Sequence, residues 1–311
     1  MNKLPLIVIT GPTASGKTKL AVEVALKCGG EIISADSRQV YRGMNIGTGK
    51  DISIYTRNNE QVPYHLIDMV DPSEYYTINH FYKDYQEVMI GIRERETQPI
   101  LCGGSGLYIE TILKGNKYAA VPVNKILREQ LNELNIMQLK QAIANEKDLP
   151  FPVDTNSRKR MMRALEIVAY LKDHSIPRRE GTEDYLLYVL FLERGALHEN
   201  ISWRLRNRLD AGMIDEVETL LSSGISAERL NYFGLEYRWV TRYILGEIKL
   251  DVMKTRLETA IRQYAKRQMT WLRRMERQGM KLLWLEGNNN ITELAEKILN
   301  GSKNSSRLNY R

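Results

Sequence analysis

The chain has 311 residues, of which 43% are hydrophobic and 27% charged, and 45 lysines and arginines outnumber 38 acidic residues. This composition excludes collagen-like, mucin-like and wholly disordered proteins, and the length suits one large or two modest domains. We expect neither a membrane span nor a signal peptide, because the apolar runs are too short. Two distant cysteines favour a reducing, cytoplasmic location. The formal net charge of +7 suggests a polyanionic partner.

The N-terminal third alternates short apolar runs with segments of helical composition. Apolar runs at residues 4–10, 31–34 and 98–102 predict strands, and residues 17–28 and 78–95 predict helices. Strands that alternate with helices indicate an α/β fold whose parallel sheet is covered on both faces.

The pattern becomes helical after about residue 114. Three leucines at positions 127, 131 and 134 share one helical face, and an apolar run at 185–193 predicts a return to the sheet. We therefore predict a P-loop α/β core in two parts, at 1–116 and 185–300, a helical insertion at 117–184 and a disordered tail at 301–311.

A phosphate-binding motif occupies residues 11–18, GPTASGKT, between a predicted strand and a predicted helix. Backbone N–H groups of such a turn, together with the helix N-terminus, favour an anion. A glycine-rich turn with a capping threonine is the alternative. The predicted phosphate or diphosphate site consists of Gly11, Pro12, Thr13, Ala14, Ser15, Gly16, Lys17 and Thr18. Lys17 supplies a charge to the phosphates, and the Thr18 hydroxyl suits Mg²⁺, the expected cofactor.

The acidic residue that usually accompanies this motif is missing. Nucleotide hydrolases carry a second strand that ends in a Mg²⁺-binding aspartate. Here the candidate strand 98–102 is followed by Gly-Gly-Ser-Gly, and Asp68 follows only a short apolar run. This absence counts against a simple ATPase.

Asp36 follows the predicted strand 31–34 at the sheet edge where α/β proteins bind ligands. An aspartate there can bind Mg²⁺, accept a proton from a nucleophile or cap a turn. The neighbouring Ser37, Arg38 and Gln39, with an aromatic residue and another arginine close behind, suit recognition of a nucleobase and its phosphates.

Several motifs occur in a fixed order along the chain: GPTASGKT, SADSRQVYRGMNIGTGK, HLIDMVDP, GGSGLY, AGMIDEV and KRQMTW. In these motifs the sequence resembles the tRNA dimethylallyltransferase family, and the resemblance covers nearly the whole chain up to about residue 285. The resemblance implies transfer of the dimethylallyl group of dimethylallyl diphosphate to N6 of adenosine 37, beside the tRNA anticodon. We expect a monomer.

The resemblance also implies roles for single residues. Asp36 is the general base that takes a proton from N6, and Lys17 with the loop amides and hydroxyls stabilises the leaving diphosphate. Ser105 stands where the family commonly has threonine, so the hydroxyl near the reacting centre is kept. The family pattern is not matched at residues 234–237, GLEY.

Two basic helical segments are candidate tRNA surfaces. The first, residues 158–163, places cations in a first helical turn, where they oppose the helix dipole. In the second, residues 261–281, cations flank an apolar seam that only Gln268 interrupts, so Gln268 is more readily a satisfied buried amide than a base reader. The predicted tRNA contacts are Asp36, Ser37, Arg38, Gln39, Lys159, Arg160, Met161, Met162, Arg163, Asn231, Lys266, Arg267, Gln268, Trp271 and Arg273.

Other functions stay open at this point. A nucleotide-type or other small-molecule P-loop kinase would share the phosphate site, but it leaves the basic helical half unexplained. An adenylate prenyltransferase would share the catalytic core without the RNA-facing helices. A non-enzymatic RNA-binding NTP switch would need switch loops, which the sequence does not show.

Overall fold

The computed structural model describes residues 4–57, 59–147, 149–176, 179–182 and 184–308, with side chains up to residue 302 in the last helix. Within these residues, a six-stranded parallel sheet has the order β5–β2–β6–β1–β7–β8, and β3 pairs with β4 in a separate antiparallel hairpin. The strands are β1 (Leu6–Thr10), β2 (Glu31–Ser34), β3 (Thr56–Arg57), β4 (Glu60–Gln61), β5 (Tyr64–His65), β6 (Pro99–Gly103), β7 (Tyr185–Phe191) and β8 (Leu282–Glu286). The predicted α/β fold with a parallel sheet is confirmed.

The described residues form twelve α-helices. They are α1 (Lys17–Cys28), α2 (Ile78–Glu94), α3 (Gly106–Lys114), α4 (Lys125–Glu133), α5 (Ile136–Asn145), α6 (Arg158–Asp173), α7 (Arg194–Asp210), α8 (Met213–Ser222), α9 (Ala227–Tyr232), α10 (Leu235–Ile244), α11 (Leu250–Arg277) and α12 (Ile291–Leu308). No helix in the described ranges is long and apolar enough to cross a membrane.

The central strands are buried because apolar layers pack on both faces of the sheet. One layer includes Phe81 and Leu272, and the other includes Leu20 and Ile298. Strands β1, β2 and β6 are therefore fully buried, as expected for a doubly covered parallel sheet. Their register sets Thr10 beside Gly103 and Ser34 beside Cys102, so the three loops that follow these strands start at one edge.

Residues 114–181 form a compact unit of their own, and the remaining residues form the other unit. The predicted limits of the insertion were 117 and 184. Its core contains Leu131, with Leu127 and Leu134 packed against it. The leucines 127, 131 and 134 belong to α4 and its end, and a second helix follows at once, because the Asn135 side chain accepts the N–H of Gln138 at 3.0 Å and starts α5.

The C-terminal segment differs from the prediction. Strand β8 pairs in parallel with β7 and was not recognised, because its five residues directly follow a long helix. Helix α12 continues to Leu308, so residues 301–308 are helical where a disordered tail was predicted. Apolar residues of α12 such as Ile298 pack against the sheet, which anchors the helix. Residues 309–311 of the predicted tail lie outside the described residues.

Glu31 is expected to make the fold sensitive to acid. Its buried carboxylate accepts hydrogen bonds from Arg95, Thr97 and His65, and chiefly the bonds from Arg95 lower its pKa from 4.5 to about 2. A carboxyl group with a depressed pKa stabilises the fold fully above pH 4.5 and loses that contribution as the pH falls toward 2. At one pKa unit per 1.36 kcal/mol, the contribution is at most about 3 kcal/mol.

The measurement is urea unfolding of wild type and Glu31→Gln between pH 7 and pH 2.5. The variant should be less stable at pH 7, and the difference should shrink below pH 4.5. Glu296→Gln, at an exposed ion pair with Lys27, serves as the control and should change little. If the difference in unfolding free energy between wild type and Glu31→Gln were constant with pH, it would contradict the lowered pKa of Glu31.

Candidate functional site

The phosphate-binding motif forms the loop between β1 and α1, as the sequence predicts. Residue 11 must be glycine, since a Cβ there would overlap the carbonyl oxygen of Leu190 in β7. Gly16 adopts φ 90° and begins α1 in a left-handed conformation. The Ser15 hydroxyl is buried and has no hydrogen-bond partner among the described residues. Because buried polar atoms are normally bonded, this hydroxyl fits a loop that closes around an anion.

Lys17 extends from the first residue of α1 into the same region. Its amine donates to the carbonyl of Pro12 at 3.3 Å. Burial is the main cause that lowers its pKa, and the nearby cation Arg204 lowers it further, whereas Asp36 acts in the opposite direction. An anion beside Lys17 would therefore stabilise its charged form.

Arg204 and Arg208 of α7 line the same cavity as Lys17, and neither was predicted from the sequence. Arg204 lies 2.9 Å from an Asp51 oxygen and 3.5 Å from the Thr13 hydroxyl. Arg208 is 11% exposed and lies 3.3 Å from a Glu236 oxygen. Burial first, and then Arg204, lower the pKa of Arg208 to about 10. Two neighbouring arginines with so little solvent make a site that favours an anion.

Room for these arginines comes from Gly49, which has φ 62°. A Cβ at this position would overlap both guanidinium groups. The spacing of four residues puts Arg204 and Arg208 on one face of α7. That spacing is the signal available in the sequence, but other arginines on α7, such as the exposed Arg206, are not distinguished by it.

Asp36 lies just beyond β2, and its side chain shapes the turn that follows. One carboxylate oxygen accepts the N–H of Arg38 at 2.9 Å. Ser105, which follows β6, holds the same turn: its hydroxyl accepts the N–H of Ser37 at 3.2 Å, and its own N–H donates to Ala35 at 3.2 Å. Asp36 therefore caps a turn, as one alternative predicted, and Ser105 positions that turn from the neighbouring strand.

A cavity of about 330 Å³ brings these groups together. It combines the phosphate loop, the turn after β2 and the two arginines of α7, and its polar lining includes Thr13, Lys17, Thr18, Asp36, Ser37, Arg38, Gln39, Arg204, Arg208 and Glu236. A neighbouring cavity of about 240 Å³ is lined by Ser105, Tyr108, Tyr264, Arg267 and Trp271 among others. Asp36 lines the first cavity and Ser105 the second, and the two cavities adjoin at Ser37, Tyr264, Arg267 and Gln268.

The loop 44–50, which forms one wall of the 330 Å³ cavity, is held by two charged side chains, Glu216 and the buried Lys50. The Glu216 carboxylate accepts the N–H groups of Asn45 and Ile46, each at 2.7 Å, and that of Gly47 at 3.0 Å. Lys50 donates to the carbonyl of Tyr41 at 2.5 Å and pairs with Asp68. Three successive N–H groups form a concave anion site, and here Glu216 fills it.

The same two charged residues, Lys50 and Glu216, are the partners of Asp68 and Tyr237. The Asp68 carboxylate pairs with Lys50 and is not part of the lining of the 330 Å³ cavity. Tyr237, in the segment 234–237 where the family pattern is not matched, is buried, and its hydroxyl donates to Glu216 at 2.7 Å. The AGMIDEV motif supplies Glu216 and therefore serves the cavity wall.

Gln268 joins the phosphate loop to the turn after β6. Its side-chain oxygen accepts the N–H of Thr13 at 2.8 Å, and its nitrogen donates to the carbonyl of Gly104 at 2.9 Å. Gln268 is therefore the satisfied buried amide that its seam position predicted, and both ends of its side chain are engaged within the protein. Gln39 is similarly engaged: it donates to Gly49 at 3.1 Å and accepts from Ser34 at 3.0 Å.

Helix α11 shows the predicted seam of Ile261, Ala265, Gln268, Leu272 and Met275, all of them buried. Three predicted tRNA contacts on this helix, Lys266, Arg267 and Arg273, are exposed. Trp271 is half-buried, with the Arg274 guanidinium 4.0 Å from its ring centroid.

The first turn of α6 departs from the prediction. Met161 and Met162 are buried in the core of the insertion, because they lie on the face of α6 that packs against α4 and α5, so their predicted contact with tRNA is wrong. Arg163 donates to the carbonyls of Tyr118 and Val121 and pairs with Glu166.

Arg160 also has an internal partner, since it pairs with Asp154 at 2.6 Å. Carbonyl and carboxylate partners account for both arginines without a docked anion. Of the predicted contacts in this turn, Lys159 is exposed and its position is compatible with an RNA phosphate.

Three comparisons place these features among known proteins. Residues 39–275 match the family model described as IPP transferase. A tRNA dimethylallyltransferase from Phocaeicola vulgatus is 46% identical over 96% of this chain and 98% of its own length. One from Parabacteroides distasonis is 45% identical over 92% of this chain and 94% of its own. The crystal structure of the tRNA isopentenylpyrophosphate transferase from Bacillus halodurans is 30% identical, covers 99% of this chain and 100% of its own, and has a TM-score of 0.71.

The family match includes the wall residues Lys50 and Glu216 and the arginines of α7, all of which lie between residues 39 and 275. The full-length similarity adds the phosphate loop. The chain therefore belongs to the IPP transferase family of tRNA dimethylallyltransferases, as its motifs predicted.

Proposed function

We propose that this enzyme transfers the dimethylallyl group of dimethylallyl diphosphate to N6 of adenosine 37 in tRNA, beside the anticodon. One observation carries the proposal: the cations Lys17, Arg204 and Arg208 line the same cavity as the Asp36 carboxylate. A reaction that releases a diphosphate anion while a nucleophile loses a proton needs both kinds of group side by side. The names of the relatives supply the identity of the transferred group and of its acceptor.

In the proposed reaction, N6 of the adenine attacks the allylic carbon, and the bond from that carbon to the diphosphate oxygen breaks. The Asp36 carboxylate takes the proton that N6 loses. A positioned base of this kind contributes about 10²–10⁴-fold to the rate. Lys17, Arg204 and Arg208 stabilise the charge that develops on the departing diphosphate, as do the loop amides and the free Ser15 hydroxyl.

Magnesium fits this cavity as an ion shared with the substrate. Within the described residues, no group of three or more His, Cys, Asp and Glu side chains could hold a metal alone. Mg²⁺ typically binds one or two protein oxygens together with substrate phosphates. The Thr18 hydroxyl, which lines the cavity, would hold it beside the diphosphate, where it would neutralise phosphate charge.

The adenosine must leave its stack to enter the cavity, because an enzyme that reacts with a base cannot reach it inside a stacked loop. Arg38 and Ser37 line the cavity beside Asp36 and are the proposed contacts with the extruded nucleotide. The exposed Lys266, Arg267 and Arg273 of α11 are proposed phosphate contacts, as are the exposed Asn231 and Lys159 for other parts of the tRNA.

The proposal is tested by incubating the protein with Mg²⁺, dimethylallyl diphosphate and an unmodified tRNA that carries adenosine 37, followed by digestion to nucleosides and mass analysis. We expect one adenosine to gain one dimethylallyl group. A tRNA with guanosine at position 37 should stay unmodified.

Three results would contradict the proposal. Modification of free AMP but not of tRNA would indicate an adenylate prenyltransferase. Transfer of the γ-phosphate of ATP to a small molecule would indicate a kinase. Nucleotide-dependent RNA binding without any change in mass would indicate an RNA-binding switch.

A further inference from the structure

Two tyrosines, Tyr75 and Tyr232, form an exposed aromatic pair near the cavity. Tyr75 lies in the segment between β5 and α2 and is 68% exposed, and Tyr232 ends α9 and is 45% exposed. Their ring centroids are 5.9 Å apart, and the rings meet edge to face at 71°. Both rings present apolar area to solvent, although neither is needed to fill the core.

Arg229 holds the two rings in place. Its guanidinium carbon lies 4.2 Å from the centroid of Tyr75 and 5.0 Å from that of Tyr232. The same side chain donates to the carbonyl of Pro72 at 2.8 Å and to that of Glu74. The segment that carries Tyr75 is thereby tied to α9, so a ligand that binds these rings does not have to order them first.

The aromatic pair continues into the mouth of the cavity. The guanidinium of Arg38, which lines the cavity beside Asp36, lies 4.8 Å from the centroid of Tyr232. Phe233, the residue after Tyr232, lines the cavity as well. Arg42 adds a second exposed cation on the segment that follows Arg38, where its Nε donates to the carbonyl of Asp68 at 3.0 Å.

The acidic side chains of this region are engaged in local hydrogen bonds. Asp71 accepts from the N–H of Ser73 at 2.8 Å and from its hydroxyl at 2.6 Å. Glu74 accepts from the N–H of Asp71 at 3.0 Å. The charged groups that contact the rings themselves are the guanidinium groups of Arg38 and Arg229, at 4.2–5.0 Å from the ring centroids, which suits a polyanion with flat bases more than it suits an apolar protein surface.

We propose that Tyr75 and Tyr232 form a stacking platform for an unpaired base of the tRNA loop, next to the adenosine that enters the cavity. The proposal rests on the proposed function for the identity of the RNA. Extrusion of one base leaves its neighbours without a stacking partner. Exposed aromatic rings next to arginines are the surfaces on which proteins stack single-stranded bases, with little dependence on sequence.

The test uses a tRNA anticodon stem-loop with 2-aminopurine placed singly at each loop position that flanks the adenosine. Tyr75→Ala and Tyr232→Ala should each weaken binding of the stem-loop by about 5- to 150-fold. At one loop position, quenching of 2-aminopurine by the wild-type protein should be lost in both variants. The affinity for dimethylallyl diphosphate should stay within twofold.

Matched controls separate stacking from other effects. Tyr75→Phe keeps the ring and should bind and quench as the wild type does. Ile90→Ala removes an exposed apolar side chain of α2 and should also bind and quench as the wild type does. Loss of binding in Tyr75→Phe would overturn stacking, because only a hydroxyl is removed. Unchanged binding and quenching in Tyr75→Ala would also overturn it, and Tyr75 decides the matter because its exposure makes misfolding of that variant unexpected.

A different result would contradict the proposed function. If wild-type protein modifies tRNA but the tyrosine variants bind as it does, the platform is wrong and the transferase proposal stands. If wild-type protein makes no modified adenosine yet the alanine variants lose binding and quenching, the platform is supported and the transferase proposal fails.

Discussion

Asp36→Asn is expected to lower the rate of dimethylallyl transfer by about 10²–10⁴-fold, the range that a positioned general base contributes. The structure gives Asp36 a second role, because one carboxylate oxygen accepts the N–H of Arg38 at 2.9 Å and caps the turn after β2. Asparagine caps such turns as well as aspartate does. The substitution therefore removes the base and keeps the turn.

Asp36→Ala provides the comparison, because it removes both the base and the cap. If Asp36 acts as the base, the two variants should be similarly inactive in single-turnover transfer at saturating substrate. Dissociation constants for tRNA should stay within a few fold in Asp36→Asn, since the turn that carries Ser37 and Arg38 is preserved. Transfer by Asp36→Asn at more than a tenth of the wild-type rate would limit Asp36 to capping.

Ser105→Ala tests whether the turn itself matters. The Ser105 hydroxyl accepts the N–H of Ser37 at 3.2 Å, so its loss loosens the turn without removing the base. A smaller loss of rate than in Asp36→Asn would place Ser105 in a positioning role. This ordering follows from the geometry, in which Asp36 lines the cavity that contains Lys17, whereas the Ser105 hydroxyl bonds the backbone of the turn.

The local parts of the site could be predicted from the sequence because each is formed by consecutive residues. The phosphate loop spans residues 11–18, and Asp36 follows a buried strand at the edge where ligands bind. Helical periodicity likewise gave the seam of α11, including the buried position of Gln268. The same local patterns identified the family, which the comparisons confirm.

Other parts depend on contacts between distant segments, and no local pattern contains them. Arg204 reaches the phosphate loop from a residue nearly two hundred positions away, and Gly49 makes room for it. Met161 and Met162 lie in a basic turn, but the partner helices of the insertion bury them. Strand β8 is stable only as the neighbour of β7. In each case tertiary packing decides the role of a residue whose local sequence is ambiguous.

Arg208→Met is expected to weaken binding of inorganic pyrophosphate by about 10- to 100-fold, the loss that follows from removing a charged hydrogen-bond donor worth about 1.5–3 kcal/mol. Arg208 is nearly buried beside Arg204, and its pKa falls to about 10 mainly through burial. The pKa of Arg208 falls from the usual 12.5 to about 10, so the charged side chain is disfavoured by roughly 3 kcal/mol in the protein without an anion.

A bound diphosphate relieves this unfavourable charge, which leads to a second expected result. Pyrophosphate should raise the melting temperature of the wild-type protein and raise that of Arg208→Met by less, because stabilisation by a ligand follows its affinity. The control is Arg206→Ala on the same helix, since Arg206 is exposed and should change pyrophosphate affinity by less than twofold. Titration calorimetry and thermal unfolding measure the two effects independently.

The outcome also separates two uses of the arginine pair. If Arg208→Met loses transfer but binds pyrophosphate like the wild type, the arginines act on the tRNA and not on the leaving group. If pyrophosphate affinity falls and tRNA affinity does not, the charge on this wall of the cavity is devoted to the diphosphate. The second outcome is expected, because Arg204 lies 3.5 Å from the Thr13 hydroxyl of the phosphate loop and shares the cavity with Arg208, Lys17 and Thr18.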